Sequence, residues 1–381
     1  MIIRNAKIAL CDDEVIKKDI YIKDGIITDY DEGLSAAETE IDATGLWAVP
    51  GLVDIHLHGA VGHDFCDANE EGLKKILDYE ASRGIAAIMP ATMTFSEDVL
   101  NKVIDTALKV KDYSKGAAMV GINMEGPFIS KNKVAAQNPD YIIPANGDMF
   151  ERLMKRARGL IKMIDLAPEN MNNMDFIKKY KDKVIISLAH TDASYEEAKA
   201  AFDSGALHLT HMFNAMNGIN HRAPGPILAS YEAGANVELI CDGVHIHDAV
   251  IRMVFDLFDE DRIVLVSDSM MATGLSDGQY TLGGQEVIVA KNRCTLKDNP
   301  NTIAGSNTNL FECMRHAIVE AGIPIHKAVK AASINPAREL GIDNRYGNIK
   351  KGCYGNVILA DEKFNIKYII TRGIITREMM A

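Results

Sequence analysis

Apolar residues along this chain fall into two textures. From residue 1 to about 50 they come as short runs broken by turn pairs: Ile2-Ile3, Ile20-Tyr21-Ile22, then Asp24-Gly25 followed by Ile26-Ile27. Asp-Gly between β-branched runs predicts a hairpin, because the tight turn needs backbone angles that glycine adopts freely. The last thirty or so residues repeat the texture, with Val357-Ile358-Leu359, Tyr368-Ile369-Ile370, a Thr371-Arg372-Gly373 turn and Ile374-Ile375. Neither end carries a helical period. Short hairpins cannot bury a core alone, so the two ends, 1–50 and 346–381, are expected to pair into one small β-sandwich domain.

Between them, over 51–345, the texture becomes strand, loop, helix, repeated. Eight apolar runs stand at 53–57, 85–89, 117–124, 161–166, 184–188, 207–210, 237–241 and 263–266. Helical segments separate most of them: 71–77 has apolar residues at helical spacing, and Ser194 with Glu197 three residues on forms a capping box. Eight such units predict a (β/α)8 TIM-like barrel, with a doubly wound sheet as the alternative.

The informative regularity lies at the ends of these runs. The first run alternates Val53, Ile55 and Leu57 with Asp54, His56 and His58, so a strand would send both histidines to one face. Glu125 ends the third run, His190 the fifth; His211 comes just after the sixth, and Asp268 ends the eighth. In a barrel these C-terminal ends share one mouth, where barrel enzymes keep their active sites. Imidazoles and carboxylates suit a divalent metal, Zn or Fe, one or two ions per chain, with Glu125 able to bridge a pair. A divalent ion acidifies water, and Asp268 is placed to accept the proton and return it to a leaving group. That combination serves hydrolysis of a C–N or a P–O bond. Downstream, Asn214, His245 and the planar donor fork of Arg222 offer contacts for phosphate or carboxylate. The Ala304-Gly305-Ser306-Asn307 stretch is expected to open a helix.

Composition narrows the partners. The 41 Lys and Arg stand against 53 Asp and Glu, a net charge of -12 with no basic block, so nucleic acid is not an expected partner. An anionic substrate needs local cations against that background. Six scattered cysteines (Cys11, Cys66, Cys241, Cys294, Cys313 and Cys353) without a CxxC pair read as reduced thiols. With no signal-like start and no membrane-length apolar run, a cytoplasmic protein is expected, with no membrane partner.

Several motifs together resemble the N-acetylglucosamine-6-phosphate deacetylases of the amidohydrolase superfamily. They are Pro50 to Gly59, Met124-Glu125-Gly126-Pro127-Phe128, Leu188-Ala189-His190-Thr191, His211 to Met216, His221-Arg222 with Pro224-Gly225, Asp242-Gly243 with His245, Ser267-Asp268 and Ala304-Gly305-Ser306. The resemblance implies that Glu125, His190 and His211 hold the principal metal, that His56 and His58 support a second, and that Asp268 is the general acid and base. It implies that Asn214, Ala215, Arg222, His245, Gln137 and Ile303 meet the substrate, an amino-sugar phosphate, with Arg222 shared across a homodimer interface. Hydrolysis of the acetamide, in amino-sugar catabolism and cell-wall recycling, is the implied activity; the galactosamine epimer is the nearest rival substrate. A non-catalytic binding barrel is the rival of another class, though such a copy is expected to lose ligands and this chain keeps them. Gln137, which can donate a hydrogen bond but carries no charge, stands where the family has a carbonyl-polarising histidine. Asn123 and Ala223 also depart from the family pattern.

Overall fold

The computed structural model describes residues 1–9, 15–29 and 39–378. Its centre is a (β/α)8 barrel of strands β1 (Leu52–Asp54), β2 (Ile85–Ile88), β3 (Ile122–Glu125), β4 (Ile161–Leu166), β5 (Ile185–Leu188), β6 (His208–Leu209), β7 (Asn236–Leu239) and β8 (Ile263–Leu265). Strands β3 to β8 form one continuous parallel ladder, and β1 pairs in parallel with β2. Backbone bonds beyond the strand ends close the circle. Asn123 N donates to Pro90 O at 3.0 Å between β2 and β3, and Asp268 N to His56 O at 2.9 Å between β8 and β1.

The run at 117–124 is not one strand. It divides into Ala118–Met119, which pairs with β2, and β3, which pairs with β4. The step falls at Gly121, where a Cβ would lie 2.6 Å from Lys162 Cγ, so only glycine lets the chain cross so close to β4.

Helices wrap the barrel: α1 (Glu70–Ser82), α2 (Glu97–Val110), α3 (Gly147–Ala157), α4 (Asn173–Tyr180), α5 (Tyr195–Ser204), α6 (Gly225–Ala233), α7 (Asp248–Leu257), α8 (Leu310–Val319), α9 (Ile325–Ala332) and α10 (Ile334–Glu339). Their amphipathic spacing explains the packing. In α2 the buried positions Leu100, Val103, Ile104, Ala107 and Val110 recur every three or four residues and face the sheet. The capping box is present at α5, where Ser194 Oγ accepts from Glu197 N and the Glu197 carboxylate accepts from Ser194 N. The 304–307 stretch does not open a helix. α8 starts at Leu310 under the Asn309 cap, and Ser306 instead pairs with Ser269 beside the barrel mouth.

The barrel interior is divided along its axis. Val53, Ala87, Met163 and Val264 form an apolar cluster. Nearer the strand ends His56, Asp165, Ser187, His208, Thr210 and Glu238 are all fully buried. Such a polar layer costs stability, since each buried charge gives up several kcal/mol of hydration. Its hydrogen bonds to neighbours, such as Thr210 Oγ1 to Asp165 Oδ1 at 3.0 Å, offset that cost in part.

Both chain ends build one sheet of eight strands around a core of its own, including Ile3, Ile8, Ile20, Ile22, Val357 and Ile370. The ends meet where Trp47–Pro50 runs antiparallel to Val357–Ala360. The first strand, Ile2–Ala9, pairs with Glu40–Asp42 at its start and with Trp47–Pro50 at its end, changing partner around Asn5, whose φ is +59°. The hairpin at Asp24-Gly25 and the turn at Arg372-Gly373 are both present.

A four-stranded antiparallel meander was not anticipated: Gly278–Leu282, Gln285–Ala290, Arg293–Leu296 and Asn299–Ile303, inserted between β8 and α8. It leans over the barrel mouth. No helix among the described residues is long and apolar enough to cross a membrane. The five described cysteines are free thiols, as expected; Cys11 lies outside the described residues.

Candidate metal centre and active site

At the C-terminal mouth the strand ends converge on Glu125. Its Oε1 lies 3.0 Å from His190 Nε2 and 3.2 Å from His211 Nε2, while its Oε2 lies 3.4 Å from His58 Nε2. Asp268 Oδ1 stands 3.3 Å from His58 Nε2 and 3.9 Å from His56 Nε2. One carboxylate thus presents its two oxygens to separate imidazoles, and Asp268 closes the ring. Two overlapping triads, His56–Glu125–His211 and His56–His58–Asp268, bring their donor atoms within 4.8 Å of one another.

The donor set fits a divalent metal. Three rings are anchored from behind through Nδ1: His56 to Glu238 Oε2 at 3.0 Å, His58 to Ala91 O at 3.3 Å, and His190 to Lys133 O at 2.8 Å. A carbonyl or carboxylate only accepts, so each Nδ1 carries the proton and each Nε2 turns toward the centre, the usual arrangement around a metal. His56 Nε2 is buried without a hydrogen-bond partner.

Electrostatics follow the same geometry. Burial alone would raise the Glu125 carboxyl, but His190 and His211, facing its Oε1, and the nearby His58 hold it well below the usual range. Asp268 is likewise lowered against its burial, chiefly by His58 and His56. His56 and His58 are raised, burial opposing and the surrounding carboxylates prevailing.

The backbone is strained where the chemistry gathers. His190, His211 and Asp268 have φ values of +44°, +28° and +48°, in the left-handed region that costs a residue with a Cβ roughly 1–3 kcal/mol. Here the sharp turn after each strand points the side chain back over the barrel axis.

A cavity of about 260 Å³ opens above the centre. Gln137, Asn214, Ala215, His245 and Ile303 line it together with Glu125 and Asp268. Gln137 is fixed: its Oε1 accepts from Thr94 N at 2.7 Å and its Nε2 donates to Glu125 Oε2 at 2.6 Å. His245 Nδ1 donates to Asp242 Oδ2 at 2.8 Å, and Asn214 Nδ2 donates to His211 O at 3.1 Å. Arg222 is the expected site residue that the fold does not bring here. It lies exposed on the loop before α6 and does not line the cavity.

Several residues at the site gave no clear signal in the sequence. Leu282, Asn301 and Thr302 of the meander line the cavity, and Gln285 Nε2 donates to the carbonyls of Ala136 and Gln137. Gly283-Gly284 between alternating runs was a legible turn signal for this insertion. Glu238 had no such signal.

A closed barrel with histidines and carboxylates converging at its C-terminal mouth, able to hold a divalent ion, is the architecture of a barrel hydrolase. The chain belongs to the amidohydrolase family, whose model matches residues 47–376. It is 33% identical over 331 residues to the N-acetylglucosamine-6-phosphate deacetylase of Bacillus subtilis, covering 85% of this chain and 83% of that one. It is 30% identical over 355 residues to the N-acetylgalactosamine-6-phosphate deacetylase of Escherichia coli O157:H7, covering 92% and 93%. Among solved structures, a mutant N-acetyl-D-glucosamine-6-phosphate deacetylase from Mycobacterium smegmatis, in complex with N-acetyl-D-glucosamine-6-phosphate, superimposes with a TM-score of 0.91 at 27% identity, over 98% of both chains.

Proposed function

We propose that the protein is a metal-dependent hydrolase that cleaves the acetamide of N-acetylglucosamine 6-phosphate to glucosamine 6-phosphate and acetate. The observation that carries this reading is Glu125, whose two oxygens face separate imidazole groups beside Asp268 within one cavity. The relatives named above supply the substrate class, and glucosamine is preferred because most of the curated relatives act on that epimer by name.

In this reading Glu125, His190 and His211 hold one divalent ion, Zn or Fe, and His56 and His58 a second. Such an ion acidifies water and polarises a carbonyl oxygen. Asp268 takes the proton of the attacking water on a carboxylate oxygen and delivers it to the departing amine nitrogen. Gln137, its amide orientation fixed by Thr94 N and by the bond from one Nε2 hydrogen to Glu125, turns its other Nε2 hydrogen toward the developing oxyanion. His245, its Nδ1 proton committed to Asp242, presents Nε2 to the sugar, with Asn214, Ala215 and Ile303 around it. Arg222 serves the phosphate of a neighbouring copy in a homodimer. The barrel over 51–345 carries the chemistry, the β domain of 1–50 and 346–381 supports it, and the enzyme works in the cytoplasm.

The test is a steady-state assay of purified, metal-analysed protein on both acetylated sugar phosphates. A higher kcat/KM for the glucosamine epimer is expected, with activity abolished by exhaustive chelation and restored by divalent metal. Preference for the galactosamine epimer would shift the assignment to that substrate. Turnover of neither, with metal bound, would reject deacetylation.

A further inference from the structure

Behind His56 a chain of buried ionisable groups runs away from the cavity and plays no part in the mechanism above. Glu238, on β7, accepts from His56 Nδ1 and from the backbone N of His211 on the same oxygen, Oε2, both at 3.0 Å. Its other oxygen, Oε1, faces His208 Nε2 on β6 at 3.1 Å. His208 Nδ1 in turn meets Glu339 Oε1, at the end of α10, at 2.6 Å. Side-chain exposure is 0% for His56, Glu238 and His208 and 4% for Glu339.

A carboxylate in such a place needs an explanation beyond packing. Two donors on one oxygen could be satisfied by the amide oxygen of a glutamine, without an ion inside the barrel. The carboxylate is instead held in a connected row: His208 stands between Glu238 and Glu339, with its Nε2 3.1 Å from Glu238 Oε1 and its Nδ1 2.6 Å from Glu339 Oε1, directly behind His56. A carboxyl group accepting from Nδ1 fixes the tautomer and holds the ring in one orientation, with Nε2 turned toward the site.

We propose that Glu238 is a positioning residue that, braced by His208 and Glu339, orients His56 and sets the affinity of the ion site that His56 and His58 form. This rests on the two-ion reading above. It assigns a role to residues on β6, β7 and α10 that touch neither substrate nor cavity.

The experiment compares wild type, Glu238→Gln and Glu339→Gln as metal-stripped full-length proteins, titrated with Zn²⁺ by calorimetry and by competition with a chromophoric chelator. Melting temperatures of the metal-free forms are recorded alongside. Wild type is expected to take two ions per chain. Glu238→Gln should keep the ion of Glu125, His190 and His211 but bind the second about ten- to a hundredfold more weakly, the usual scale for a lost partner behind a ligating histidine. Its metal-free melting temperature should stay close to wild type. Glu339→Gln, which touches no candidate ligand, should weaken the same ion severalfold, and it carries the test if Glu238→Gln does not fold. Unchanged affinity for the second ion in the folded variants would overturn the proposal, and so would equal weakening of both ions, which marks general loosening. Wild type taking only one ion would instead overturn the two-ion reading itself.

Discussion

At the scale of single residues the site is a contest between burial and charge. Burial works against the ionised form of Asp268, yet His58 and His56 keep its carboxyl below the usual range. That suits a group meant to receive a proton only while the amide is reacting. Asp268→Asn should therefore keep the fold and the ion of Glu125, His190 and His211 but lower kcat by about 10² or more. Near wild-type kcat in a metal-loaded variant would remove Asp268 from proton transfer. The ligand-type residues were legible because each closes an apolar run and breaks its pattern, as His190 does after Leu188-Ala189. Glu238 and His208 were not legible. Each sits inside a strand as one polar residue among apolar ones, the same pattern that a solvent-facing position gives. Burial separates the two cases, and burial is a property of the closed barrel. The positive φ at His190, His211 and Asp268 was equally hidden, since these residue types do not advertise left-handed backbone as glycine does.

At the scale of elements, two contacts decide more than their size suggests. The meander is tied to the barrel mouth by Gln285, whose amide donates to Ala136 O at 2.7 Å and Gln137 O at 3.0 Å. Gln285→Ala should loosen the segment holding Gln137 and lower kcat/KM about tenfold, equivalent to roughly 1.4 kcal/mol of transition-state stabilisation. An unchanged kcat/KM would mean that the meander covers the cavity without steadying it. The second contact ties β6 to α10 through His208 and Glu339. Burial opposes charge on His208, but Glu339 and Glu238 outweigh it and push its pKa up to about 10, from an ordinary value of 6.5. A raised value means that the protonated ring stabilises the fold. The contribution is complete below about pH 6.5 and disappears as pH rises through about 10. The melting temperature of metal-free wild type should exceed that of His208→Gln most at pH 6, and the gap should narrow toward pH 9.5. A gap constant with pH would show that the pair holds by shape alone. The barrel strands and the terminal hairpins were readable from alternation and turn residues. The break at Gly121 was not, because the crossing that requires glycine involves Lys162, distant in sequence.

At the scale of the whole molecule, the role proposed for Arg222 reaches beyond a single chain. It is exposed, outside the cavity, in an acidic protein whose proposed substrate carries a phosphate. Homodimers of Arg222→Ala and of Asp268→Asn should each be poorly active. Unfolded and refolded together, they should recover roughly a quarter of wild-type activity, because random pairing makes half the dimers mixed and completes one site in each. No recovery despite confirmed mixed dimers would sink the shared-site reading.

The meeting of the two chain ends in one sheet also sets an order of events during synthesis. Trp47–Pro50 leaves the ribosome early, whereas its partner Val357–Ala360 emerges some three hundred residues later. Until then that strand edge stays open, and the barrel must assemble between two halves of an unfinished sheet. Contacts this distant in sequence slow folding, and an unpaired edge is a template for pairing with another chain. The last strands are thus less a decoration than a clasp: a chain halted before residue 357 keeps its candidate metal ligands but leaves its opening strands available to a neighbour.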